Sequence, residues 1–290
     1  MEPVKKQCIF CKSPGTFKGD EHVISRWILV KLNALKSVQP WRRDEVKVGE
    51  DGLLNYTTLE KRVANYDQLR SGFVCDSCNG DLNNKLEIPF QRIKPDLILY
   101  PIRNIQKTPP FLRAPNPLTT LTYDERQIIA RWAAKTTCVI ESVTPGRREE
   151  RNWIAADAEQ IRVQERLPEG WAVFAMLHSQ NRPSFMAGSR TWLLDSKIPE
   201  DLIDLLRKTP RTVIQIGSLI LLTIHLGDPR FRLQAVKGIH YPLVSNVEIE
   251  WLDKPRDPQR RITFDEPFDS SVNLSFRFAD TLSLSYRHHG

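Results

Sequence analysis

Two Cys-x-x-Cys pairs, Cys8-Ile9-Phe10-Cys11 and Cys75-Asp76-Ser77-Cys78, constrain this chain more than any other feature. A two-residue spacing lets both thiolates of one turn face a single tetrahedral ion, and two such knuckles complete a closed four-cysteine zinc site. Cys75 follows Cys11 by 64 positions, far more than the spacer of an ordinary zinc ribbon. The pattern is therefore a structural zinc site with a long insertion. The competing reading is two unrelated pairs of buried or redox cysteines, but neither pair opens the strand–helix–strand pattern that redox chemistry favours. Cys138 falls in a helical pattern and is most simply a small buried hydrophobe. This cysteine usage suits a reducing, cytoplasmic compartment better than disulfides.

The 290 residues suffice for one large or two ordinary domains. With 40% hydrophobic and 27% charged residues the composition is globular. The net charge of +7 suits a polyanion partner without demanding one. Residues 1–90 are close to charge balance, so any contact with nucleic acid there rests on individual arginines. The N-terminus, MEPVKKQCIF, has no apolar signal-peptide core. The longest apolar run, Thr212 to Leu226, is too short for a bilayer and is interrupted by Gln215, Ser218 and His225, so no membrane partner is expected.

Three regions separate. Residues 1–90 hold both knuckles, residues 91–118 form a proline-rich linker, and residues 119–290 form an α+β region. In the first, Ile24, Trp27, Ile28, Leu32 and Leu35 share one helical face, and 44–58 reads as a hairpin turning at Glu50-Asp51-Gly52. The stretch after Cys75 starts irregular and becomes a short helix ended by Pro89. The second apolar region opens with a helix from Thr122, where Glu125 completes a capping box and Ile128, Ile129, Trp132, Ala133, Thr136 and Val139 line one face. A short helix is expected at 198–208. Strands are expected at 171–177, at 247–252 and in a terminal pair, 272–278 and 282–286. The 212–226 run reads as a buried strand or core segment. His178 and His225 in apolar strands, His240 in a loop, and the terminal His288 and His289 all read as non-catalytic.

Between the knuckles stands KGDEHVISRW, with Glu21 directly before His22. Alone, such a pair is more often a solvated surface turn. Its setting changes that, because Asn79 directly follows the last knuckle cysteine. The order C-x-x-C, E-H, C-x-x-C-N resembles the HNH (ββα-metal) endonucleases, and most of all the endonuclease VII-like branch built on a four-cysteine zinc treble clef. The resemblance covers roughly residues 5–90.

The resemblance implies an α+β architecture: an N-terminal zinc-bound ββα-metal domain followed by an α+β domain of unknown type. It implies a metal-dependent endonuclease acting on DNA, in which Glu21 and Asn79 hold a catalytic Mg²⁺ or Mn²⁺, His22 is the general base, and Zn²⁺ at Cys8, Cys11, Cys75 and Cys78 is structural. Oxygen ligands suit such hard cations, and imidazole suits a base working near neutral pH. Arg26, Arg42, Arg43 and Arg70 are the expected phosphate contacts. A host-defence or phage-related role would suit such an enzyme, and a homodimer is open. The family's acid is commonly Asp, the segment from His22 to Cys75 is long for a ββα hairpin, and its middle Asn has only Asn55 and Asn65 as candidates. Asn83, Asn84 and Glu87 are either an extra ligand or a polar helix face. The alternatives are an RNA nuclease with the same chemistry and a non-catalytic zinc module that binds nucleic acid or protein.

Overall fold

Helix α4, Tyr123–Val143, packs against more of the described elements than any other does. The structure is a computed structural model, which describes residues 7–17, 21–32, 38–48, 54–65, 70–93, 117–143, 152–177, 185–189, 211–228, 231–237, 240–253, 262–264 and 283–286. The expected capping box forms at its start. The Glu125 N–H donates to Thr122 Oγ1 at 3.3 Å, and the Thr122 N–H donates to Glu125 Oε2 at 2.7 Å. These bonds satisfy amides that the first helical turn leaves orphaned. The apolar face is there, but burial goes beyond it: every residue from Ile129 to Ser142 is buried, Arg131, Lys135 and Glu141 included. A helix buried on all sides needs neighbours on all sides.

One neighbour is a five-stranded antiparallel sheet of β5 (Trp171–Leu177), β6 (Phe185–Ser189), β7 (Arg211–Ile216), β8 (Leu219–His225) and β10 (Tyr241–Ser245), in the order β10-β5-β8-β7-β6. The apolar run expected as a single segment is thus a hairpin. It reverses at Gly217-Ser218, where Gly217 takes φ 58°, and Ile216 pairs with Leu219. A glycine meets that left-handed conformation at no steric cost. Both strands are buried along nearly their whole length because both sheet faces are covered. Val173, Ala175, Ile214 and Leu221 join the core that contains α4. Phe174, Val213, Leu222 and Ile224 face β9 (Phe231–Val236), which supplies Phe231, Leu233 and Ala235. β9 lies between β11 (Ile249–Leu252), parallel to it, and β13 (Ser283–Tyr286), antiparallel. Helix α5, Asn152–Val163, was not among the expected elements.

The N-terminal region covers another part of α4. β1 (Glu21–His22) pairs antiparallel with β4 (Arg70–Ser71) and leads into α1 (Arg26–Lys31). Between them runs the expected hairpin, with longer strands than the sequence suggested: β2 (Val38–Val48) and β3 (Leu54–Asn65), with a bulge between Arg43 and Asp44. β12 (Ile262–Phe264) extends this sheet in parallel with β3. After the second knuckle come α2 (Asp76–Leu82), a π-helical segment (Asn83–Glu87) and α3 (Ile88–Arg92).

The helix therefore starts at once after Cys75 and runs past Pro89, contrary to both expectations. Proline lacks an N–H and crowds the carbonyl four residues back, so an unbroken α-helix would have stopped there. The widened π segment absorbs the mismatch, and Pro89 falls in the first turn of α3, where its missing donor costs little. Phe10, Ile28, Leu82 and Phe90 from this region share one core with Trp132, Ala133 and Trp171. The proposed turn at 50–52, most of the proline-rich segment (94–116), the helix at 198–208, the strand at 272–278, and His178, His288 and His289 lie outside the described residues. No helix among the described residues is long and apolar enough to cross a membrane.

Candidate metal centre and the Glu21–His22 pair

The two knuckles meet. The sulfurs of Cys8, Cys11, Cys75 and Cys78 all lie within 4.8 Å of one another. Zn–S bonds of about 2.3 Å in a tetrahedron put sulfurs about 3.8 Å apart, and Cys11 Sγ and Cys75 Sγ are separated by 3.7 Å. The backbone locks the knuckles together: the Ile9 N–H donates to the Phe73 carbonyl at 2.9 Å, and the Asp76 N–H to the Thr16 carbonyl at 2.9 Å. The Cys75 N–H points at Cys8 Sγ, 3.3 Å away, as a donor to a thiolate would. A β-carbon on Gly15 would fall 2.5 Å from Cys75 Cβ, so only glycine fits that approach.

Electrostatics agree with a cation. Burial pushes the Cys8 and Cys78 thiols up, and for Cys78 the neighbouring sulfurs of Cys8 and Cys75 add to the effect. Cys11 goes the other way. Burial raises it, but hydrogen bonds from the Ser13 backbone and the other three sulfurs outweigh that and bring it to about 7. Four crowded sulfurs resist ionising together unless a dication shares their charge. The donor set, its spacing and the N–H that Cys75 points at Cys8 Sγ fit a structural zinc ion.

Glu21 and His22 lie on β1, with Ser71 and Arg70 as their respective partners on β4. His22 is half-buried and Arg70 exposed. Asn79 sits in the first turns of α2, half-buried, its N–H donating to the Cys75 carbonyl at 2.9 Å. Arg26 is exposed at the start of α1. Arg42 and Arg43 are neighbours on β2, with Lys61 and Glu60 as their backbone partners. Asn55 and Asn65 lie near the two ends of β3.

The sequence did not foresee what holds Glu21. Its carboxylate Oε1 accepts from Nζ of Lys135, on α4. The same ammonium donates to Glu87 Oε1 at 2.7 Å. Glu87 also accepts from Trp132 Nε1 at 2.9 Å and, on Oε2, from Trp27 Nε1 at 2.8 Å. Trp132 Nε1 shares its proton with Ser25 Oγ at 3.2 Å. Phe90 lies between the indoles, edge-to-face with the Trp27 ring at 5.4 Å and tilted against that of Trp132 at 4.9 Å. Lys135 is 1% exposed, and Glu21 and Glu87 are 6% exposed each, so this is a core network and no surface ion pair.

Burial works against Glu87 ionising, but the Lys135 charge and the hydrogen bonds from Lys135, Ser25 and Trp27 outweigh it and hold the carboxyl below the usual carboxylate range. Burial likewise opposes the Lys135 charge, and the two carboxylates reverse that and drive it up. Of the three polar residues singled out after Asn79, Asn83 and Asn84 form the exposed helix face, and Glu87 turns inward from the π segment. A signal for Lys135 was present: RWAAKTTCVI is too apolar to keep a lysine in water without exposing its neighbours. Which acids it meets could not be read from the sequence, since Glu21 is 114 positions away.

Other histidines are structural where described. His225 Nε2 meets Asp157 at 2.8 Å and its ring lies 4.9 Å from that of Trp171. His240 Nδ1 accepts from the Val236 N–H at 2.9 Å. Cys138 is buried in α4. Compared with protein-family models, curated proteins and solved structures, the chain matches none.

Proposed function

We propose that this chain is an HNH-type, metal-dependent endonuclease that hydrolyses phosphodiester bonds of DNA. One observation carries the reading. Glu21-His22 form a strand paired with Arg70-Ser71, and the chain passes from that pair directly into the knuckle and the helix that bears Asn79. The four cysteines fasten the segments before β1 and after β4 to each other, so zinc there stiffens the site and takes no part in the chemistry.

A Mg²⁺ or Mn²⁺ ion held by Glu21 and Asn79 would offset charge on the phosphate and on the departing oxygen. The remaining work belongs to the chain. His22 takes the proton of the attacking water. Lys135 engages Oε1 of Glu21, so Oε2 would be the oxygen left to hold the cation. Arg70, opposite His22, and Arg26 at the head of α1 bind flanking phosphates, with Arg42 and Arg43 as further contacts.

The second reading, a non-catalytic zinc module, draws on the burial of Glu21 and its ion pair with Lys135, as expected for a purely structural carboxylate. Purified protein incubated with supercoiled plasmid, or with structured RNA, in Mg²⁺ or Mn²⁺ separates the two. Cutting that a chelator stops supports the nuclease, and the nucleic acid that is cut defines the substrate. Retardation of either polymer on a gel without cutting supports the binding module.

A further inference from the structure

The second region contributes a buried charge to the site. Lys135 reaches from α4 across to β1 and binds the acid of the Glu21–His22 pair. Its aim is fixed from behind. Glu87 accepts from it at 2.7 Å, and Glu87 is itself held by the indole N–H groups of Trp27 and Trp132. Trp132 lies on the same helix as Lys135, one turn away, so α4 supplies both the ammonium and a donor that orients its counter-charge. Ser71, the residue opposite Glu21 on β4, bonds Ser142 Oγ at 3.0 Å farther along α4. Both strands of the small sheet are thus tied to this helix.

Resting on the nuclease reading, we infer that Lys135 is a positioning residue for the hydrolytic site: it grips Oε1 of Glu21 and fixes the direction in which the other carboxylate oxygen faces. Glu87, Trp27 and Trp132 keep that grip in place. A carboxylate has two oxygens and a free torsion, and a long glutamate needs a restraint that aspartate needs less. Without Lys135 between them, the Glu21 and Glu87 carboxylates would face each other in the core, and their like charges would turn Glu21 away. Residues 119–290 therefore complete the site and do not merely follow it. A displacement of about 1 Å in a reacting or ligating group costs roughly a hundredfold in rate.

The test uses the full chain with Lys135→Met, Lys135→Arg and Glu87→Gln, at saturating Mn²⁺ and saturating DNA. Zinc content, thermal unfolding, DNA dissociation constant and single-turnover cleavage rate are measured together. Lys135→Met is expected to keep about one zinc per chain and DNA binding within threefold of wild type, while the cleavage rate falls roughly a hundredfold. Lys135→Arg, which keeps a donor on Glu21, should recover at least a tenth of the wild-type rate. A folded, zinc-loaded Lys135→Met chain that cuts at the wild-type rate overturns the inference. So does one that loses binding and cleavage in equal proportion, which marks a general structural role. If Lys135→Met does not fold, Glu87→Gln decides: a lower rate with unchanged DNA binding supports positioning, and an unchanged rate overturns it. Wild-type protein that cuts no nucleic acid removes the nuclease reading and this inference with it, whereas an active wild type beside an unaffected Lys135→Met removes the inference alone.

Discussion

At the scale of single residues, the Glu21–Lys135–Glu87 network concentrates three ionisable groups in the core, and its consequences can be measured. The carboxyl of Glu87 is held below its usual range, so its contribution to stability is present above the unfolded-state pKa, near ~4.3, and is lost as pH falls through the lower folded-state value. Glu87→Gln should therefore lower stability at pH 7 by about 1–3 kcal/mol, the scale of hydrogen bonds to a charged group. The gap between the two proteins should close as pH drops below ~4. Thermal or denaturant melts of both proteins across that range check this. Acid release of zinc affects both alike, so the difference isolates Glu87, and a gap that stays constant would contradict the assignment. Glu21→Ala and Asn79→Ala should both weaken binding of the catalytic cation. Raising Mn²⁺ should then restore part of their cleavage, and a dose curve that stays flat would show that neither residue holds it.

At the scale of elements, the zinc knuckles, the α4 capping box and the β2–β3 hairpin were legible because each rests on local chemistry: thiol spacing, a Thr-x-x-Glu pair, alternation around a turn. The elements that were misjudged rest on non-local facts. Pro89 looked like a stop, and only a π segment facing Lys135 and Trp132 lets the helix pass it. The 212–226 run looked like one segment because both of its faces are covered, which erases the alternation that would have marked two strands. Of the candidate site, the cluster of Cys8, Cys11, Cys75 and Cys78 was legible, because thiol spacing is a local pattern. Lys135 was not, since its meaning depends on partners at 21 and 87. The knuckles carry their own test. Cys75→Ser should reduce zinc from about one per chain to near none and should abolish cooperative melting of the N-terminal elements, because ion binding at such a site, about 10–16 kcal/mol in small zinc domains, is folding free energy. Elemental analysis and circular dichroism check both. Wild-type protein that contains no zinc after expression in zinc-replete medium would contradict the site.

At the scale of the whole molecule, α4 joins the cysteine-knuckle elements to the five-stranded sheet, and β9, in the β11-β9-β13 sheet, backs that sheet on its other face. The net charge of +7 is modest for a chain of this size, so the nuclease reading requires that attraction to nucleic acid come from placed arginines. Each phosphate they neutralise should add roughly −0.9 to the slope of log K against log salt. Binding measured between low and moderate salt should fall steeply, and Arg26→Ala or Arg70→Ala should flatten that slope by about one unit. A salt-independent affinity would mean that phosphate contacts are not the main attraction. The central claim, that Glu21 and His22 form a hydrolytic site, is tested most directly by the single-turnover cleavage rate of His22→Ala beside wild type, in the same Mn²⁺ and with zinc content and DNA binding matched. Loss of a general base predicts a rate lower by about 10²–10⁴ that added Mn²⁺ does not restore. A His22→Ala protein that cuts at the wild-type rate would contradict the claim.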